Sequence, residues 1–165
     1  MSTLYSEIRQ TRPFRLLEEE AYIAIRLTAQ VMDQPWIRYL RKAEGISPSQ
    51  YNLLRILRGA GVEGRTMSEI AERMINRDPD VTRLADRTVK LGLARRIRDG
   101  DDRRVVKLFI TEKGREMLSR LDPAVEKFLK QALGGLGPKR LKLLRDLLGE
   151  ARAGFRDFPV PDDSK

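Results

Sequence analysis

Three helix-start signals follow one another in the middle of the chain, and their order restricts the fold more than any other feature of the sequence. Segments 47–50 and 66–69 both have the form of a capping box, with a hydroxyl residue first and Gln or Glu fourth. Asp78 and Pro79 offer an N-cap and a first-turn proline for a third helix. Gly92 is placed to end that helix in the left-handed conformation. The pattern predicts three short consecutive helices.

A β-hairpin pattern follows the three helices. Residues 93–98 alternate loosely between apolar and polar types, and residues 104–110 contain β-branched and aromatic side chains. Between them, residues 99–102 read Asp-Gly-Asp-Asp, which is a strong turn signal. Short capped helices followed by a two-stranded hairpin make a winged helix-turn-helix. The predicted fold class is therefore mainly α with a small β-hairpin.

Amphipathic helices flank this unit on both sides. The N-terminal helix is predicted over residues 14–33, and Pro35 is expected to kink or restart it because proline donates no backbone hydrogen bond. Thr111 caps a long helix that ends near Leu133, and glycines separate it from a last helix at about 138–153. The predicted organisation is an N-terminal arm (1–13), an N-terminal dimerisation helix region (14–45), a winged helix-turn-helix domain (46–112), C-terminal dimerisation helices (113–155) and a disordered tail (156–165).

The chain is strongly basic, and it lacks two residue types that many sites need. Its 33 Lys and Arg against 24 Asp and Glu leave a net charge of +9, which suggests an anionic partner, with nucleic acid ahead of membrane. Cysteine and histidine are absent. This excludes disulfides, Cys/His zinc sites and imidazole-based catalysis, and we expect no catalytic residue, metal or cofactor. The sequence shows neither a membrane-spanning apolar run nor a signal-peptide pattern, so a cytoplasmic location is expected.

The third helix, over residues 79–90, has the properties of a DNA-reading helix, because an α-helix fits the major groove, where each base pair shows its own donors and acceptors. Its inward face is predicted to carry Val81, Leu84, Ala85, Thr88 and Leu91. Its DNA-facing residues are predicted to be Asp80, Thr82, Arg83, Arg87 and Lys90. Thr82 and Arg83 are expected to reach base edges, since arginine matches the two acceptors of guanine. Arg87 and Lys90 are better placed for phosphates.

Further basic residues surround this helix. Residues 83–98 contain six cations and one anion, and phosphate contacts are predicted for Ser68, Arg73, Arg77, Arg95 and Arg96. The hairpin turn carries the predicted wing residues Asp102, Arg103 and Arg104, where an arginine held by Asp102 can enter the minor groove. Taken alone, the basic run also fits a solvated helix face, and the acidic turn fits an ordinary hydrophilic turn. The order of the surrounding elements favours DNA binding.

Several ordered motifs resemble the MarR (multiple antibiotic resistance regulator) family over about residues 47–120. They are SEIAER at 68–73, DVTRLADR at 80–87, KLGL at 90–93, DDRRVV at 101–106 and ITEKGR at 110–115. The resemblance implies a homodimer on a pseudo-palindromic operator that acts as a ligand-responsive repressor or occasionally an activator. By motif match, Thr82 and Arg83 resemble the family's base-contacting pair.

The same resemblance implies that Asp102 and Arg104 form the family's wing-tip pair, with Arg104 entering the minor groove. The sequence departs from the family pattern at two points. Residues 87–89 read Arg-Thr-Val, which differs from the family pattern and changes packing. The oxidant-sensing branch uses a reactive cysteine, and this chain has none.

Apolar residues outside the DNA-reading unit also need burial. A monomer would expose leucines of the last helices, and a second copy of the chain would cover them. The predicted dimer interface includes Leu16, Ile23, Leu133, Leu141, Leu144 and Leu148. The alternative is that these helices pack on the chain's own core.

A pocket for a small aromatic or phenolic effector is predicted at Trp36, Tyr39, Tyr51 and Arg55. Aromatic walls with one cation suit an aromatic acid. The plainer interpretation, core residues with an ion-paired arginine, is the one the sequence favours. A bound effector would shift the population toward a spacing of the two reading helices that no longer fits successive grooves.

Two other functions fit the same residues less well. A non-specific architectural DNA protein would use the same basic surface, and the ratio of operator to random-DNA affinity distinguishes it. An enzyme acting on nucleic acid could use a metal held by Asp99, Asp101 and Asp102, but basic neighbours oppose this and no general base is in view. The sequence therefore predicts a DNA-binding transcription regulator and not an enzyme.

Overall fold

The computed structural model describes residues 4–75, 80–98, 105–156 and 158 of the chain. The helices within these ranges are α1 (Leu4–Glu7), α2 (Leu17–Glu44), α3 (Pro48–Ala60), α4 (Met67–Arg73), α5 (Val81–Lys90), α6 (Glu112–Leu133) and α7 (Gly137–Arg156), with a 3-10 turn at Gly134–Leu136. The strands β1 (Arg65–Thr66), β2 (Ala94–Arg98) and β3 (Val106–Ile110) form an antiparallel sheet in the order β1-β3-β2. The predicted fold class, a mainly α winged helix-turn-helix, is confirmed.

Both predicted capping boxes are present. In the first, Ser47 Oγ accepts a hydrogen bond from the Gln50 amide (3.2 Å) and Gln50 Oε1 accepts one from the Ser47 amide (3.0 Å). In the second, Thr66 Oγ1 accepts from the Glu69 amide (3.3 Å) and Glu69 Oε2 accepts from the Thr66 amide (2.8 Å). Each box satisfies two amides that have no partner within the helix. The hydrogen bonds from Thr66 also lower the pKa of the Glu69 carboxyl, because they favour its charged form.

The third helix begins later than predicted. Its N-cap is Asp80, whose Oδ1 accepts a hydrogen bond from the Arg83 amide at 3.0 Å, and α5 starts at Val81. The prediction of Asp78 as the N-cap is therefore wrong. Aspartate is a favoured N-cap residue, so residue type alone does not distinguish these two positions. Asp78 itself lies outside the described residues.

The predicted end of this helix is confirmed. Gly92 has a left-handed backbone (φ 72°), and its amide donates to the Val89 carbonyl at 2.8 Å. The Leu93 amide donates to the Thr88 carbonyl at 3.2 Å. These two bonds form a Schellman motif, which satisfies carbonyls that the last turn leaves unpaired.

α2 is one continuous helix that includes Pro35. It starts at Leu17 rather than at residue 14, and it does not restart at the proline. A proline removes a single backbone hydrogen bond, and the turns on either side keep theirs. Acidic residues at 18–20 favour the observed start, because they complement the positive end of the helix dipole.

The short strand β1, which the sequence does not predict, adds to the hairpin. Arg65 pairs with Leu108 of β3, so the two-stranded hairpin is part of a larger sheet. Gly64 permits this approach: its φ is 64°, and a Cβ there would lie 2.7 Å from the Phe109 ring. A two-residue strand is too short for an alternating pattern to reveal it.

The chain divides into two compact units, Met1–Leu118 and Ser119–Lys165. The first has an aliphatic core in which fully buried side chains include Leu53, Leu54, Leu57, Ile70, Leu84, Leu93, Leu108 and Leu118. The second contains the end of α6 and the whole of α7. Among the residues described, no helix combines the length and apolar character needed to cross a bilayer.

Candidate nucleic-acid interface

α5 buries one face in the core of the first unit. The predicted inward residues that are buried are Val81, Leu84, Ala85 and Thr88. The Thr88 hydroxyl donates to the Leu84 carbonyl at 2.8 Å, which satisfies this polar group inside the core. Leu91 is 44% exposed, so its predicted inward position is wrong. It is the C-cap residue, directly before the left-handed Gly92 at which the chain leaves the helical path.

The opposite face of α5 is open to solvent. The exposed side chains predicted to face DNA are Thr82, Arg83, Arg87 and Lys90. The side chain of Arg83 is 82% exposed, so its guanidinium is available to a ligand. The helix has 10 residues and therefore rises about 15 Å, which suits the major groove.

Asp80, also predicted to face DNA, contacts Arg83 at two points. Its Oδ1 accepts from the Arg83 amide at 3.0 Å, and its Oδ2 lies 2.8 Å from Arg83 Nε. Both oxygens of the carboxylate therefore engage the same neighbouring residue. Neither contact is predicted from the sequence, where Asp78 is the expected N-cap and Asp80 an expected DNA-facing residue.

A second acidic residue of α5, Asp86, contacts the wing. Its Oδ1 lies 2.5 Å from Nη1 of Arg96 on β2. Arg96, predicted to bind phosphate, thus has a carboxylate partner within the chain. The two acids of segment 80–98, Asp80 and Asp86, each pair with an arginine of the basic surface.

β2 and β3 form the described part of the wing. The exposed residues of β2 are Arg95, Arg96, Ile97 and Arg98. The Arg95 guanidinium lies 5.7 Å from the centre of the Phe109 ring, a cation–π contact that restrains a long side chain. The predicted wing-tip residues Asp102, Arg103 and Arg104 lie outside the described residues.

The remaining predicted phosphate contacts lie around α4. Ser68 is exposed on its first turn, with Oγ 3.1 Å from Thr66 Oγ1. Arg73 is exposed at its last turn, and its Nη1 donates to the Glu69 carbonyl at 3.0 Å. Arg77 lies outside the described residues. Ser68 and Arg73 are therefore accessible, and their role remains a prediction.

Three bonds, here called the α5–α6 clamp, tie the loop after α5 to the start of α6. Lys113 Nζ donates to the Leu91 carbonyl at 2.9 Å, and Thr111 Oγ1 donates to the Gly92 carbonyl at 2.7 Å. The Thr111 amide donates to the Leu93 carbonyl at 3.1 Å. Thr111 also accepts from the Gly114 amide, which confirms its predicted role as a helix cap. The sequence does not reveal the clamp, because its partners are about twenty residues apart.

The residues predicted to line an effector pocket do meet. The Trp36 and Tyr39 rings stack with centres 5.8 Å apart, and the Trp36 and Tyr51 rings meet edge to face at 5.1 Å. The Arg55 guanidinium lies 5.9 Å from the Tyr51 ring centre. Tyr51 is buried and Tyr39 is 39% exposed, so the cluster runs from the core to the surface.

The residues predicted to form a dimer interface retain exposed surface. In the first unit, Leu16 is 62% exposed and Ile23 is half-buried. In the second unit, Leu144 is 39% exposed. The half-buried members of the second unit are Leu133, Leu141 and Leu148. Each unit by itself thus leaves apolar side chains in solvent, which a second copy can cover.

No group of three potential metal ligands occurs in the part of the chain that the structure describes. The acidic turn considered for a metal, Asp99, Asp101 and Asp102, lies outside that part.

The candidate interface therefore consists of the basic face of α5 and the adjoining wing strands β2 and β3.

Known proteins resemble this chain in sequence. A family model described as MarR family matches residues 44–105. The HTH-type transcriptional regulator TtmR of Methylorubrum extorquens (strain PA1) is 31% identical over 112 residues, which cover 62% of this chain and 55% of that protein. The alignment therefore spans little more than half of that relative.

Solved structures resemble it over most of its length. A MarR transcription factor from Planctomyces limnophilus is 34% identical, with 83% of this chain and 98% of that chain covered and a TM-score of 0.62. A MarR family regulator from Streptomyces coelicolor, crystallised in complex with DNA, is 25% identical, with 93% and 97% covered and a TM-score of 0.76. These matched proteins are named as transcription regulators, not as enzymes.

Proposed function

This chain belongs to the MarR family, and on that premise we propose that it regulates transcription by binding a pseudo-palindromic DNA operator as a homodimer. The observation that carries the proposal is the face of α5, where Thr82, Arg83 and Arg87 are exposed on a helix whose other face is fixed in the core. A rigid helix with an accessible basic side is suited to the major groove.

Within that complex, Thr82 and Arg83 contact base edges, and Arg87 and Lys90 contact phosphates. Arginine pairs with the O6 and N7 acceptors of guanine, whereas contacts to phosphate fix the register and carry no sequence information. Arg104 at the wing tip enters the minor groove, as the family resemblance implies. Ser68, Arg73, Arg77 and Arg95 add phosphate contacts around this centre.

The dimer places two copies of α5 on successive major grooves. Inverted half-sites about one helical turn apart match a protein with two-fold symmetry. Exposed apolar residues support self-association, among them Leu144 and Leu147 on α7, which are 39% and 52% exposed. Burying them against a second copy removes this surface from water.

The regulator acts as a repressor that an aromatic or phenolic effector releases. The contacts among Trp36, Tyr39, Tyr51 and Arg55 support an aromatic-lined site with one cation. An effector that binds better to a conformation with the wrong helix spacing lowers DNA affinity by population shift.

The test is a comparison of operator and random-DNA affinity at one fixed salt concentration. The operator is found as an inverted repeat recovered by selection from random DNA, with the full chain as bait. A sequence-specific regulator is expected to prefer it by roughly 10³ or more over random DNA. A ratio near one would refute the proposal and favour an architectural DNA protein, since charge alone attracts both to any duplex.

A further inference from the structure

We propose that Asp80 determines base specificity by positioning Arg83, so that only the terminal edge of the Arg83 guanidinium faces the DNA and selects guanine at one base pair of each half-site. The inference rests on the proposed function, because it requires that α5 reads bases. It differs from a direct contact of Asp80 with DNA, since Asp80 acts here through its neighbour.

The geometry separates two tasks of one carboxylate. Oδ1 accepts from the Arg83 amide at 3.0 Å and caps α5. Oδ2 lies 2.8 Å from Arg83 Nε, an interaction that the cap does not need. A serine or asparagine at this position would cap the helix equally well without forming the second bond.

The second contact adds little to the stability of the fold. It joins side chains that are 82% and 40% exposed, and exposed ion pairs of this kind contribute little to stability. It also leaves a carboxylate at the front of a basic face, where it opposes the binding of phosphates. The gain in base discrimination from an oriented guanidinium would offset the cost of this repulsion.

The chemistry of arginine explains how orientation becomes selectivity. A guanidinium carries five N–H donors and presents either its Nε side or its terminal Nη1/Nη2 edge to a ligand. With Nε engaged by Asp80, the terminal edge remains for the DNA, and its two parallel donors match guanine O6 and N7. A free side chain would also sample phosphates and other base edges, which lowers discrimination.

The experiment measures base preference at each operator position with the full chain. Arg83→Ala identifies the position that Arg83 reads, because the preference disappears there. Asp80→Asn and Asp80→Ser keep an oxygen for the cap and remove the anionic acceptor of Nε. We expect both to reduce the guanine preference at that position by about 2-fold to 10-fold, the effect of ordering one long side chain during binding rather than before it. Preferences elsewhere are expected to stay unchanged.

Glu72→Gln on α4 is the matched control, because it removes one negative charge from an exposed position of a neighbouring helix. It is expected to leave every base preference as it is, and circular dichroism checks that all variants keep their helices. If the guanine preference survives in both Asp80 variants, or if base preference is lost evenly over all positions, the role of Asp80 is overturned. The proposed function would still stand. If Arg83→Ala left the base preference unchanged at every operator position, Arg83 would not read a base. The role of Asp80 would then be overturned as well. A wild-type chain without any base preference would overturn both this inference and the proposed function.

Discussion

Asp86 on α5 and Arg96 on β2 form an ion pair with 2.5 Å between Oδ1 and Nη1, and this pair joins the proposed base-reading helix to the wing. Both side chains are partly exposed, at 43% and 35%, so the pair contributes only about 0–1 kcal/mol to stability. We expect its main effect to be on binding, where it would restrain the angle between the two proposed DNA-contacting elements before DNA arrives. A preset angle reduces the ordering cost of binding.

Asp86→Asn is therefore expected to lower the ratio of operator to random-DNA affinity, even though it removes a charge that repels phosphates. Random-DNA binding is expected to rise slightly, because it follows net charge. Operator binding is expected to fall about 2-fold to 10-fold, because the wing must be ordered during binding. Fluorescence anisotropy with both duplexes at one salt concentration measures the two affinities.

Arg96→Gln and the double variant complete a mutant cycle for this pair. If the two residues act as a unit, the double variant loses no more operator preference than either single variant. Effects of the two substitutions that simply add would contradict the proposed coupling between helix and wing.

Arg83→Ala and Arg87→Ala distinguish base reading from phosphate contact on one helix. Arg83→Ala is expected to cost about 1–3 kcal/mol and to flatten the preference at one base pair. Arg87→Ala is expected to weaken binding to every sequence alike and to reduce the salt slope by about 1. Titrations of operator variants at several salt concentrations measure both. The same pattern of losses in both variants would refute this division of roles.

Local features of the fold were predictable because their causes lie within a few residues of each other. A capping box needs four positions, and the Schellman motif at Gly92 needs one turn, so the sequence indicates both. The amphipathic pattern of α5 also correctly predicted the residues of its buried face, which include Leu84 and Thr88. The prediction failed at the C-cap residue Leu91, because periodicity gives the direction of a side chain on the helix but not whether another segment covers it.

Long-range features were not predictable from the same patterns. The pairing of Arg65 with Leu108 and the contact of Lys113 with Leu91 depend on how distant segments pack. The ion pair between Asp86 and Arg96 likewise needs the sheet to be in place. The exposed arginines of the site were predictable by type and position, but their partners within the chain were not.

The α5–α6 clamp leads to a prediction for two residues that lie outside the proposed DNA surface. Lys113→Met keeps the aliphatic stem but removes the hydrogen bond to the Leu91 carbonyl. Operator affinity is expected to fall by about 2-fold to 10-fold, because the end of α5 is then less ordered before binding.

Thr111→Val removes a helix cap as well as a bond of the clamp. It is expected to lower the free energy of unfolding in urea by about 0.5–2 kcal/mol.

Lys127→Met is the control for this clamp, since it removes one positive charge from an exposed site on the same helix. Its effect on operator affinity is expected to be the small one of charge alone. Equal losses in Lys113→Met and Lys127→Met would show that the clamp does not order α5 for binding.

The capping box of α4 predicts how stability depends on pH. Hydrogen bonds from Thr66 lower the pKa of Glu69 below 4.5 in the folded chain. A carboxyl whose pKa falls on folding stabilises the fold above its unfolded pKa, and this contribution is lost as the pH falls through the folded pKa. Glu69→Gln has no such titration. The free energy of unfolding of the wild type is expected to exceed that of this variant at neutral pH, by a margin that shrinks below about pH 4.

Urea unfolding over a range of pH measures this margin. Glu72→Gln, which changes the same charge on α4 away from the cap, is the control for a general charge effect. A difference between wild type and Glu69→Gln that stays constant from neutral to acid pH would contradict the argument.

Leu144→Glu is expected to convert the proposed dimer into monomers. Leu144 is already 39% exposed in the single chain, so glutamate there stays hydrated in a monomer and costs little in folding. In a dimer the same charge would be buried without a partner, which opposes association. Sedimentation velocity measures the mass, and Lys142→Gln, an equal change of one charge unit at an exposed position of α7, is expected to remain dimeric.

DNA binding gives a second measurement of the same change. A monomer binds one half-site, and it loses the gain in effective concentration that linking two reading helices provides. Leu144→Glu is therefore expected to bind a full operator little better than an isolated half-site, whereas the wild type strongly prefers the full operator. A variant that sediments as a dimer would place the interface elsewhere. A monomeric variant that still preferred the full operator would show that dimerisation in solution is not what links the two half-sites.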